Sequence, residues 1–109
     1  MRVGAVVTDL MLFSRLDSAA TGAGATLLRV DDPAQLPDDL DLVLVDWAAR
    51  EPAWTGTLRA MAPGRVRVVL FGPHTDLDAH AAARASGMGP MMARSKLLAW
   101  RPSLLGTAP

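Results

Sequence analysis

The sequence predicts a single α/β domain: a parallel, doubly wound, five-stranded sheet in the order 2-1-3-4-5, with helices on both faces. Three observations carry this. Short apolar, β-branched runs alternate with stretches of helical spacing from one end of the chain to the other, as in βαβ units. The third run, Leu42 to Val45, is the most apolar and suits a central strand. The fifth run opens on Pro90, which has no N–H to give a ladder and so suits an edge. Right-handed crossovers limit the topology further.

Each element has its own signal. Val3 to Val7 is short and apolar, a buried strand. Asp9 can cap the helix that follows, in which Leu12, Leu16, Ala19, Ala20 and Ala23 share one face, and Gly22 and Gly24 end it. Ala25 to Val30 is the second strand. Asp31-Asp32-Pro33 starts a short helical turn that Pro37 closes. After the third strand, Pro52 to Met61 is a weak helix, diluted by Gly56 and threonines and ended by Pro63-Gly64. Val66 to Phe71 is the fourth strand, stopped by Gly72-Pro73. Thr75 or Asp76 caps an Ala-rich helix that ends at Gly87. Pro90 to Ala93 is the fifth strand. Lys96 to Leu105 is a last helix, interrupted by Pro102, too short to cover its sheet face fully.

Composition narrows the function. The 109 residues suit one domain, 1–109, with half of them hydrophobic. Eleven basic residues balance eleven acidic ones without forming a stripe, which argues against nucleic-acid binding by phosphate neutralisation. There is no cysteine, hence no thiolate chemistry, and a reducing cytoplasm is the expected setting. No run is long enough to span a membrane, and Asp9 and Arg15 interrupt the N-terminal apolar stretch before a signal-peptide core is complete. The acids Asp31, Asp32, Asp38, Asp39 and Asp41 read as a solvated loop, with a docking patch as the alternative.

Chemistry concentrates at the strand ends. Asp46 closes the run Asp41-Leu-Val-Leu-Val-Asp46, and binding sites of open α/β sheets lie at the carboxyl ends of strands. In the order 2-1-3-4-5, strands one and three are neighbours about 4.8 Å apart. Asp9 and Asp46 then stand side by side. Such a pair can hold a hard cation such as Mg²⁺ through oxygen, or one acid can attack a phosphoryl group. Asp9 also has the role of a helix cap. Trp47, next to Asp46, is expected at the mouth of the site, and His74 beside the same edge, for acid–base work or simply exposed before a helix. Thr21-Gly-Ala-Gly-Ala-Thr26 is not a phosphate loop, since it follows a helix and precedes a strand. Met91 and Met92 read as core filling or as an adaptable contact surface, and Trp100 as either an interface or a sheet cap.

Thr8-Asp9 after strand one, Arg15 in the next helix, Asp46 after strand three and the passage Ala82-Ala83-Arg84-Ala85-Ser86-Gly87-Met88-Gly89 together resemble the receiver domains of bacterial two-component response regulators over essentially the full length. The resemblance implies a flavodoxin-like fold, with Asp46 as phosphoacceptor in a phosphorelay, Mg²⁺ as its cofactor, and a sensor kinase or downstream signalling protein as partner. It also implies a contact face made by the Ala-rich fourth helical segment, the fifth strand and the last helix, which can support a homodimer.

The departures fall on the chemical positions. Thr8 stands where the first acid of the family's pair would be. Gly72-Pro73 replaces the hydroxyl residue at the end of strand four. Arg94-Ser95 replaces the lysine after strand five. Each loss weakens metal binding or phosphoryl transfer. The expected function is therefore that of an atypical or pseudo-receiver: a non-enzymatic signalling module that works through protein contacts, needs no cofactor and does not depend on aspartyl phosphorylation. The alternatives are a receiver phosphorylated on Asp46 with Mg²⁺, and a small flavodoxin-like enzyme or cofactor binder. Arg94 is expected to reach Asp46 and form a lasting ion pair.

Overall fold

The computed structural model describes residues 1–61 and 66–98. Five parallel strands, β1 (Arg2–Val6), β2 (Thr26–Val30), β3 (Leu42–Asp46), β4 (Arg67–Gly72) and β5 (Met92–Ala93), lie in the order β2-β1-β3-β4-β5. They alternate with helices α1 (Leu10–Gly22), α2 (Trp54–Met61), α3 (Leu77–Ser86) and α4 (Arg94–Leu98), and with 3-10 turns at Pro33–Gln35 and Trp47–Ala49. The order is the expected one.

Strand alternation builds two cores. Val3, Ala5, Leu42, Leu44, Val69 and Phe71 point to one face, where Leu12, Leu16 and Ala20 of α1 and Leu97 of α4 cover them. Val6, Val43, Val45 and Leu70 point to the other, under Trp54 and Leu58 of α2 and Ala79 and Ala83 of α3. All five residues of β3 are buried, as its apolar run predicts for a strand covered on both faces. Gly4 sits where the 33–40 segment crosses β1. A Cβ there would come within 2.6 Å of Leu36 and 2.7 Å of Leu40, so the crossing requires glycine.

The helix ends follow their capping chemistry. Asp9 caps α1, accepting from the amides of Met11 and Leu12. The turn at Pro33 carries a full capping box, with Asp32 accepting from Ala34 and the Gln35 side chain returning to the Asp32 amide. Asp76 caps α3, and Gly87 ends it in the left-handed region at φ 80°.

Two expectations need correcting. Strand five is two residues long rather than four, paired only as Phe71 with Met92 and Gly72 with Ala93. Pro90 cannot donate to β4, and Gly89 turns the chain at φ 95°, so pairing starts late. The last helix begins at Arg94 rather than Lys96. Its predicted continuation to Leu105, and Trp100 with it, lie outside the described residues.

Candidate functional site at the carboxyl edge of the sheet

Val3 to Val6 of β1 pair with Leu42 to Val45 of β3, so Asp9 and Asp46 leave adjacent strands at the same edge, as the sequence implied. Asp46 has the parity of Leu42 and Leu44 and therefore faces α1 and α4. That places it between the α1 cap, Asp9, and the first residue of α4, Arg94.

The two acids have different surroundings. Asp9 is exposed, and its Oδ1 accepts from Met11 at 3.0 Å and from Leu12 at 3.1 Å. Asp46 is only 6% exposed, and its Oδ1 is buried with no hydrogen-bond partner among the described residues. Burial pushes the Asp46 carboxyl above its ordinary range. The Arg94 charge pulls it back, as does the Ala48 amide, and the neighbouring Asp9 adds a smaller upward push.

The expected Asp46–Arg94 ion pair does not form. Among the described residues the ion pairs are Arg2–Asp39 and Arg29–Asp31. Arg94 acts on Asp46 through space, while its own Nε is buried and unpartnered. As the first residue of α4, Arg94 is held by the helix start rather than free to reach the carboxylate.

Trp47 is not at the mouth of the site. It is 1% exposed and packs in the opposite core, beside Trp54, with the Arg50 guanidinium 5.8 Å above its ring. Consecutive residues at a strand end point to opposite faces, so a Trp after an inward acid on one face enters the other core. Thr8 and Ser95 are exposed, and Pro73 is half-buried. His74 is exposed, and its carbonyl accepts from His80 Nε2 at 3.0 Å, which ties the start of α3 to the loop before it.

The end of β4 holds a feature that sequence reasoning missed. A Cβ on Gly72 would lie 2.8 Å from Met91 Sδ and 3.3 Å from its Cε. Met91, only 5% exposed, therefore fills the space into which a larger residue 72 would extend. It was expected at an interface and is instead core. The signal was present as a glycine at a strand end with a methionine-rich run, Met88 to Met92, close behind in sequence.

The acids of the 31–41 loop are spent locally. Asp39 pairs with Arg2, Asp41 accepts from the Arg2 amide at 2.8 Å, and Asp31 pairs with Arg29 at 2.6 Å. This supports the solvated-loop reading over the docking patch.

No protein-family model matches the chain, and no curated protein does. Among solved structures, a response regulator receiver protein from Burkholderia phymatum superposes with a TM-score of 0.72, covering 98% of this chain and 96% of that one. The fold is receiver-like. At 18% identity the likeness concerns the fold, so the chemistry has to be read from the residues.

At this receiver-like edge a resident Mg²⁺ would have to rely on Asp9 and Asp46 alone. Among the described residues no third carboxylate, His or Cys joins them. Asp9 Oδ1 is already committed to two amides, and a buried carboxylate that prefers its proton is a poor ligand. The residues present do not fit the ion. No helix among the described residues is long and apolar enough to cross a membrane.

Proposed function

We propose that the protein is an atypical, receiver-like signalling module that works through protein–protein contacts without conventional aspartyl phosphorylation. The receiver-like fold supports a signalling module of response-regulator type in preference to an enzyme. The burial of Asp46 with an unpartnered oxygen carries the finer reading. A nucleophile needs its charge, and desolvation favours the neutral acid. Mg²⁺ and the equatorial oxygens of a transferring phosphoryl group need charge around them, and Thr8 and Gly72 supply none. On this reading no cofactor is required and the setting is the cytoplasm. Partners, whether a sensor kinase, a downstream signalling protein or a second copy, meet the face formed by α3, β5 and α4.

The test is chemical. The protein is incubated with Mg²⁺ and a small phosphodonor and followed by intact mass, with Asp46→Asn beside it. The expected outcome is no added phosphoryl group, and no change in tryptophan fluorescence with beryllofluoride. An adduct that disappears in Asp46→Asn would establish a working phosphoacceptor and overturn the proposal. A flavin or nucleotide retained on purification would point instead to a flavodoxin-like cofactor binder.

A further inference from the structure

The sheet is complete on one side and unfinished on the other. β2 pairs with β1 at five positions, whereas β5 pairs with β4 at two. The Arg67 amide bonds to the Asp41 carbonyl, towards β3. Alternation along the strand therefore turns the amides of Val68 and Leu70 the other way, towards the side where β5 has not yet begun. A groove of about 530 Å³ lies there, with Val68, Leu70 and Met88 in its wall. Pro90 runs along the same groove but has no N–H to offer the strand.

The charge of the groove has one sign. Arg67 and Lys96 line it and are exposed, His80 lines it from α3, and no carboxylate lies among the lining residues. An open strand edge supplies backbone hydrogen bonds, apolar wall positions select alternate side chains, and rim charges select the sign of the rest. We propose that this groove takes an extended segment of a protein partner, with acidic and apolar residues alternating, which adds to β4 as a further strand. A second copy of the chain is a poorer occupant, because edge-to-edge pairing would bring the Arg67 and Lys96 rims together. The proposal rests on the reading of the chain as a protein-contact module and names the chemistry of the partner.

The experiment uses the ¹⁵N-labelled full chain and three synthetic peptides: alternating Val and Glu, alternating Val and Lys, and the Val/Glu peptide with prolines at alternate positions. The Val/Glu peptide is expected to bind and to slow hydrogen exchange at the Val68 and Leu70 amides. The Val/Lys peptide binds about tenfold more weakly, the size two rim charges provide. The proline peptide, which lacks the ladder donors, does not bind. The double variant Arg67→Glu, Lys96→Glu, at two exposed positions, reverses the preference between the first two peptides. Equal binding of both charge types, binding of the proline peptide, or no protection of Val68 and Leu70 with any peptide overturns the proposal. So does concentration-dependent self-association that protects these amides without peptide, which would make the occupant a second copy. Phosphorylation is read at Asp46, away from this groove, so the two readings fail separately.

Discussion

Asp9 and Asp46 are the same residue type on neighbouring strands at one edge of one sheet, yet they do opposite things. Asp9 is exposed and gives its oxygen to two helix amides, so its charge stabilises α1. Asp46 is buried and keeps an oxygen without a partner, so its charge carries a cost of desolvation that Arg94 only partly offsets. A carboxylate at a strand end is therefore not a reactive group by position alone. What packs over it decides, and around Asp46 the packing extends to the end of β4. There Met91 lies against Gly72, and a Cβ at 72 would also approach the Ala48 amide at 3.8 Å.

The largest effect is expected from restoring a hydroxyl to that wall. Gly72→Thr places a β-carbon against Met91 Sδ and buries a polar group, and overpacking of this kind costs about 1–3 kcal/mol. Met91 is a flexible side chain, so part of the cost is relieved by its movement. Urea denaturation should show the loss, and Gly72→Thr with Met91→Ala should be less destabilised than the sum of the single variants. Strict additivity would mean that Met91 does not close the wall.

The same wall shows how far the sequence could be read. The sheet order, the two-faced core and β1 to β4 to within about one residue followed from apolar runs and turn residues, because those patterns are local. So did the Asp9 cap. The length of β5 did not follow, since it depends on how Gly89 and Pro90 deliver the chain to β4. The burial of Asp46 and Met91 did not follow either, because it is set by side chains from elements far apart in sequence. Trp47 was legible and misread: parity with Asp46 sends it to the opposite core.

Next in size is the cap. Asp9→Ala removes the acceptor for Met11 and Leu12 and should cost about 1 kcal/mol, with Asp9→Asn restoring most of it. Equal loss in both variants would mean that the charge of Asp9, rather than its cap, holds the edge. Its removal should also leave Asp46 slightly easier to ionise, since Asp9 is one of the groups that raises it.

The smallest effect has the opposite sign and depends on pH. The folded-state pKa of Asp46 is raised, so between the ordinary carboxyl value of 3.8 and the raised one the folded chain holds more protons than the unfolded chain. In that window stability falls as pH rises, and above it the full cost of the buried charge is present. Asp46→Asn has no such cost. It should melt above the parent protein at pH 7, and the gap should close as pH falls towards 3.8. Arg94→Met should act in the reverse direction: without the nearby cation the carboxyl rises further, and the parent loses more stability on going from acid to neutral pH. Thermal denaturation of the three proteins across that range separates the contributions. A gap between parent and Asp46→Asn that does not change with pH would mean that Asp46 is solvated and ionises as freely as Asp9. The two acids at the edge would then be equivalent after all.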